Sequence, residues 1–119
     1  MRVGYQPSLL HAPMLRKRAL EIATTLAMDP KLMLLDEPTQ GMGLEDVDRI
    51  KLLIKKVAAD RTVLMVEHNM SVVSSIADTI TVLQRGATLA EGPYEVVSKN
   101  PAVIEAYMGS AQTELVGAH

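Results

Sequence analysis

Two short aliphatic runs, each ending abruptly in polar residues, constrain the fold more than any other feature of this sequence. The first lies within residues 31–35 and is followed by Asp36-Glu37-Pro38. The second is Thr62–Val66, followed by Glu67-His68-Asn69. Apolar runs without alternation are typical of strands that are covered on both faces of a sheet. We therefore expect two buried strands, each with charged residues at its carboxyl end.

The segments between and around these runs have the spacing of helices. Apolar residues recur at intervals of three and four over residues 14–28 and again over 44–59, which predicts two amphipathic helices. Asp29-Pro30 ends the first helix, because proline cannot continue it. Strands separated by helices pair in parallel through right-handed crossovers. The expected fold class is therefore α/β.

The rest of the chain predicts smaller elements. A short helix is expected over residues 71–77, with Asn69 or Ser71 as its cap. Two strands, over residues 80–83 and 88–90, flank Gln84-Arg85-Gly86, which has the composition of a hairpin turn. Further helical turns are predicted over residues 93–97 and 102–108. The domain organisation that follows is an irregular segment over 1–13, one partial domain over 14–109 and a flexible tail over 110–119.

Composition excludes several classes of protein. The 12 basic and 14 acidic residues give a net charge of −2, which provides no general attraction to nucleic acid. Phe and Trp are absent and only three tyrosines are present, so a base-stacking surface is not expected. We therefore expect no nucleic-acid partner. Cysteine is absent, and no apolar run approaches the ~18 residues of a membrane span, which favours a cytoplasmic protein or a cytoplasmic piece of a larger assembly.

The polar clusters suggest phosphate chemistry. Ligands of open α/β sheets bind beyond the carboxyl ends of the strands, where both clusters are expected. The Asp36 carboxylate suits Mg²⁺, Glu37 could orient or deprotonate a water molecule, and His68 could reach a terminal phosphate oxygen. Taken singly, an acidic pair is more often a helix cap, and a strand-end histidine is more often a satisfied polar residue. Glu67 could orient His68 or simply be solvated.

The combined arrangement resembles one protein family. Residues 18–109 are similar to the C-terminal half of an ABC transporter ATP-binding subunit. Leu32–Glu37 resembles the Walker B motif, Leu64–His68 the segment of the switch histidine, and Gln40–Leu44 occupies the D-loop position. The Gly41-Met42-Gly43 form and the closing segments resemble the branched-chain amino acid importer group. Those closing segments are Val82–Gly86, Ala90–Pro93, Val96, Asn100-Pro101 and Ala106–Gly109.

This resemblance implies a fold and a set of site residues. The fold would be the C-terminal half of a P-loop NTPase domain, a mostly parallel sheet with flanking helices and a C-terminal hairpin. Asp36 would hold Mg²⁺ through water, Glu37 would be the catalytic glutamate, and His68 would contact the γ-phosphate. Asp36 and the loop Gly41, Met42 and Gly43 would contact the nucleotide.

The resemblance also implies cofactors, partners and a location. The complete subunit would use ATP and Mg²⁺ to power import of branched-chain amino acids. Its partners would be a second ABC ATPase subunit and membrane permease subunits. It would lie on the cytoplasmic face of the inner membrane.

Two motifs of the family are missing from this sequence. No Gly-x-x-x-x-Gly-Lys-Ser/Thr loop is present to cradle phosphates, and Ala12–Lys17 supplies neither Ser nor Gly at the signature position. We therefore expect a truncated or frame-shifted chain that binds ATP weakly or not at all and is inactive alone. The alternative is a non-catalytic module that docks on a full-length ABC subunit. An ABC-type DNA-repair or chromosome-organising ATPase is disfavoured, because heptads and a basic face are lacking.

Overall fold

The computed structural model describes residues 13–107, which divide between Val72 and Val73 into two units. The predicted irregular segment over 1–13 and the predicted tail over 110–119 lie outside the described residues, apart from Pro13. Pro13 is the first residue of a helix that was predicted to begin at Met14.

The first unit, described from residue 13 to 72, alternates helices and strands as the sequence predicts. Its elements are α1 (Pro13–Leu26), β1 (Leu32–Asp36), α2 (Leu44–Val57), β2 (Thr62–Val66) and the beginning of α3 (Met70–Ile76). β2 has the predicted bounds. β1 starts and ends one residue later than predicted, so Asp36 is its last residue.

β1 and β2 form a two-stranded parallel sheet. The register runs from Leu32 beside Thr62 to Asp36 beside Val66, so both strands end together at one edge. The Glu37 N–H continues the ladder by donating to the Val66 carbonyl at 2.7 Å. The predicted parallel pairing is therefore confirmed, and the two polar clusters emerge side by side.

The core of the first unit is built mainly from one face of α2. Its buried stripe has helical spacing and consists of Val47, Ile50, Ile54 and Val57. Ile22 of α1 and Met33 of β1 are also buried, and α1 packs against α2. Burial of these aliphatic side chains stabilises the unit that holds β1 and β2 in place.

Arg61 connects the chain segments that precede β1 and β2. Its Nε donates to the Val57 carbonyl at 3.1 Å, and one terminal nitrogen donates to the Pro30 carbonyl at 3.1 Å. The first bond satisfies a carbonyl at the end of α2, where helical partners are lacking. The second connects the entrance of β2 to the entrance of β1.

The expectation that both faces of the strands are covered is wrong for the described part of this unit. Leu32, Leu34, Leu64 and Val66 are between 53% and 69% exposed, whereas Met33, which points to the opposite face, is buried. Successive side chains of a strand point to opposite faces. A strand with apolar residues on both faces therefore has the same sequence pattern whether one face or both faces of the sheet are covered.

The second unit, described from residue 73 to 107, contains an antiparallel hairpin. β3 (Ile80–Gln84) pairs with β4 (Ala87–Gly92), and α4 (Tyr94–Val97) packs against both strands. Residues 101–107 are helical. The turn residues Arg85 and Gly86 have φ values of 50° and 77°, the left-handed conformation that a two-residue hairpin turn requires. The predicted hairpin is therefore confirmed.

The second unit has its own core. Its buried residues are Val73, Ile80, Val97 and Val103. Among the described residues of both units, no helix combines the length and apolarity needed to cross a membrane.

The core of the first unit can be tested on α2. Ile50 is completely buried and Leu52, two positions later, is exposed. We expect Ile50→Ala to lower the free energy of unfolding by about 2–5 kcal/mol, because it leaves a cavity. We expect the matched control Leu52→Ala to change it by less than about 0.5 kcal/mol. Chemical denaturation followed by circular dichroism measures both, and equal losses would contradict the assignment of the core.

Candidate functional site

The structure brings two of the predicted site residues into contact where β1 and β2 end. His68 Nδ1 lies 3.2 Å from Glu37 Oε1, a hydrogen-bond distance. Glu37 directly follows β1, and His68 follows β2 by two residues. The contact therefore results from the parallel register, which carries both chain segments to the same edge.

The backbone of Glu37 adopts an unfavourable conformation. Its φ of 44° lies in the left-handed region, which residues with a β-carbon rarely occupy. The N–H of Glu37 is held by the Val66 carbonyl, and Pro38 and Thr39, which follow, are both buried. Such strain persists only where the surroundings enforce it, and it concentrates at functional sites.

Asp36 presents an exposed carboxylate at the last position of β1. The described residues contain no cluster of three or more His, Cys, Asp or Glu side chains that could enclose a metal ion. The single carboxylate of Asp36 fits Mg²⁺, which commonly binds one or two carboxylates and completes its shell with waters and phosphate oxygens. Asp36 is therefore suited to a metal that arrives with a phosphate ligand.

The predicted nucleotide contacts Gly41, Met42 and Gly43 lie further along the same turn. The Met42 N–H donates to the Thr39 carbonyl at 3.2 Å. Gly41 has a φ of 78°, and a β-carbon there would lie 3.7 Å from the methyl carbon of Met14. Gly43 is the residue that precedes α2. Gly41, Met42 and Gly43 therefore belong to the turn that leads into α2. They do not take part in the contact between Glu37 and His68.

Glu67 is the residue of this edge that sequence reasoning left undecided. Its side chain is 1% exposed, although the adjacent His68 side chain is 73% exposed and Glu37 is 35% exposed. The Glu67 carboxylate accepts hydrogen bonds from Thr39, His68 and Asn69. The idea that it is simply solvated is therefore wrong for this structure.

Asn69 anchors the segment on the other side of His68. Its Oδ1 accepts the backbone N–H of Ser71 at 3.1 Å and that of Val72 at 3.4 Å. These donors belong to the first turn of α3, so Asn69 caps the helix as predicted. His68 is thereby fixed between the end of β2 and the start of α3.

Comparison with protein families finds one match at the C-terminal side of the chain. Residues 87–112 match the sequence model of the branched-chain amino acid ATP-binding cassette transporter family. This segment includes β4 and α4, and it contains most of the closing segments singled out in the sequence.

Curated relatives match over most of this chain. The high-affinity branched-chain amino acid transport ATP-binding protein BraF of Pseudomonas aeruginosa is 43% identical over 98 residues, which is 81% of this chain. The corresponding protein LivG of Escherichia coli is 37% identical over 97 residues. In both cases the matched part is 38% of the relative's length.

Solved structures show the same fold. An ATP-binding cassette of an ABC transporter in its ADP conformation superimposes with a TM-score of 0.72 at 28% identity. The match covers 80% of this chain and 39% of that structure. The α/β arrangement described above is therefore that of the C-terminal part of an ABC ATPase domain.

The left-handed conformation of Glu37 can be tested by replacing this residue with glycine. We expect Glu37→Gly to leave the free energy of unfolding unchanged within about 0.5 kcal/mol or to raise it. Relief of the left-handed backbone, about 1–2 kcal/mol, offsets the greater freedom of glycine in the unfolded chain, about 0.5–1 kcal/mol. Chemical denaturation measures the difference.

The matched control is Gln40→Gly in the same turn. Gln40 does not have a positive φ. Glycine there brings no relief, and we expect a loss of about 0.5–1 kcal/mol. If Glu37→Gly is as destabilising as Gln40→Gly, the backbone of Glu37 is not strained.

Proposed function

Because this chain is related to the ATP-binding subunits of branched-chain amino acid ABC transporters over 38% of their length, we propose that it provides the corresponding part of such a subunit. The complete subunit would hydrolyse ATP and drive import of branched-chain amino acids. The observation that carries the proposal is the contact between Glu37 and His68 at the shared edge of two parallel strands.

The chemistry of the edge suits phosphoryl transfer to water. Glu37 would orient the attacking water and accept its proton, since its carboxylate is partly exposed beyond the end of β1. His68 contacts Glu37 through Nδ1, and with a proton on both ring nitrogens its Nε2 would donate a hydrogen bond to the terminal phosphate. Asp36 would hold Mg²⁺ through water, and the metal would neutralise charge on the phosphate oxygens.

The proposal extends to partners and location. In ABC ATPases two subunits complete each other's sites, so a second ABC ATPase subunit is the proposed partner, together with membrane permease subunits. The subunit would lie on the cytoplasmic face of the inner membrane. The branched-chain amino acid transport named for BraF and LivG supports this assignment.

A hybrid subunit tests the proposed function. In it, this chain replaces the matching C-terminal part of BraF. We expect the hybrid to hydrolyse ATP, and we expect Glu37→Gln to lower kcat by about 10²- to 10⁴-fold while ATP binding is retained. His68→Ala should also lower kcat, because the contact with Glu37 and the phosphate is lost. A phosphate-release assay measures each rate.

Glu45→Gln is the control for this experiment. Glu45 lies in the first turn of α2 with an exposed carboxylate, and its substitution should leave kcat unchanged. An active hybrid in which Glu37→Gln and Glu45→Gln have the same rate would contradict the role of Glu37. An inactive hybrid that folds and binds its partner subunits would contradict the proposed function.

The exposed face of the β1–β2 sheet favours a second candidate function. Leu32, Leu34, Leu64 and Val66 form a contiguous apolar surface in the strand register. Surfaces of this kind often mark interaction sites. The alternative is therefore a non-catalytic module that docks on a full-length ABC subunit and inhibits it.

Of two measurements on the 119-residue chain, the first tests its nucleotide binding, on which both candidates agree, and the second distinguishes the candidates. By calorimetry we expect it to bind Mg-ATP weakly or not at all, since its sequence contains no phosphate-binding glycine loop. Tight, stoichiometric binding would contradict this prediction. When the chain is added to complete BraF, inhibition of ATP hydrolysis supports the docking module, and an unchanged rate counts against it.

A further inference from the structure

A carboxylate buried between the two strand ends has no place in the chemistry proposed above. The Glu67 side chain is 1% exposed. Burial of a carboxylate is strongly unfavourable unless hydrogen bonds replace its lost hydration. The reason for an acidic residue at position 67 should therefore lie in the hydrogen bonds that its carboxylate accepts.

The two oxygens of Glu67 bind different segments of the chain. Oε2 accepts the backbone N–H of Thr39 at 3.3 Å and its hydroxyl at 2.7 Å, both in the turn after β1. Oε1 accepts the N–H groups of His68 at 3.1 Å and Asn69 at 3.3 Å, both in the turn after β2. One carboxylate thus joins the two turns with four hydrogen bonds.

These bonds act on the contact between Glu37 and His68 from both sides. Thr39 lies two residues after Glu37, so fixing Thr39 limits the position of the Glu37 carboxylate. The backbone of His68 is held directly, and Glu67 Oε1 lies 3.8 Å from His68 Nδ1. We infer that Glu67 is a positioning residue, which sets the place of the His68 ring against Glu37 by joining the turns that carry them.

The inference needs variants that separate hydrogen bonding from side-chain volume. Glu67→Gln keeps the volume but replaces one oxygen with an NH₂ group that faces donors. Thr39→Val removes only the hydroxyl donor, and Thr39→Ser retains it. If the Glu67 side chain merely filled space, all three substitutions would leave the contact between His68 and Glu37 unchanged.

Nuclear magnetic resonance on the 119-residue chain gives the direct test. In the wild type we expect a nuclear Overhauser effect between the His68 ring and the Glu37 side chain. Glu67→Gln and Thr39→Val should weaken or abolish it, and Thr39→Ser should preserve it. Amide exchange at Thr39, His68 or Asn69 should become at least about tenfold faster in Glu67→Gln.

The amides of Ile50 and Ile54 in α2 serve as the internal reference. If they also exchange faster by the same factor, the substitution destabilises the whole unit and the positioning role is overturned. An unchanged His68–Glu37 signal in Glu67→Gln would overturn it as well. Loss of that signal with unchanged exchange in α2 supports it.

The hybrid subunit adds a kinetic test, which rests on the proposed function. We expect Glu67→Gln to lower kcat by at least about tenfold with little change in KM for ATP, because nucleotide contacts remain while Glu37 and His68 are misplaced. If Glu37→Gln abolishes activity and Glu67→Gln has no effect, the inference fails while the proposed function stands. If the hybrid is inactive, the proposed function fails and the resonance experiment decides the inference.

Discussion

The in-register parallel pairing of β1 with β2 is the constraint on which the site depends. Asp36 lies beside Val66, so the residues that follow each strand leave the sheet at the same edge. A slip of one residue would turn every side chain of a strand to the opposite face. The burial of Met33 on one face therefore fixes the register, and the register in turn brings Glu37 to His68.

The local elements were predictable because their signals lie within a few residues. The aliphatic run of β2 and the hairpin turn at Arg85-Gly86 have short-range patterns that allow few alternatives. The strand pattern alone did not predict which face of the sheet is covered, since Leu34 and Leu64 give the same sequence pattern whether their face is covered or exposed. What covers a face depends on the placement of other elements, and an apolar run contains no information about that placement.

Glu37 and Glu67 also differ in whether their contacts follow from a short-range pattern or from the placement of distant residues. Glu37 follows a strand end, and the parallel arrangement of strands is enough to predict that it lies near the residues that follow the neighbouring strand. Glu67 gains its role from Thr39, which is 28 positions away in the chain. No periodicity or motif connects these two residues, so the sequence left orientation of His68 and simple solvation as equal alternatives.

Two uncommon features coincide at this edge of the sheet. Glu37 has a left-handed backbone, and Glu67 has a side chain that is 1% exposed, with a carboxylate that accepts four hydrogen bonds. Asp29 and Arg85 are also left-handed. Asp29 lies just after α1, and Arg85 lies in a hairpin turn that requires this conformation, whereas a glycine or an asparagine would suit position 37 better. Backbone conformation alone would favour a different residue at position 37. Local rules are typically broken together where a site needs particular side chains in particular places, and two acidic residues flanking one histidine satisfy that description.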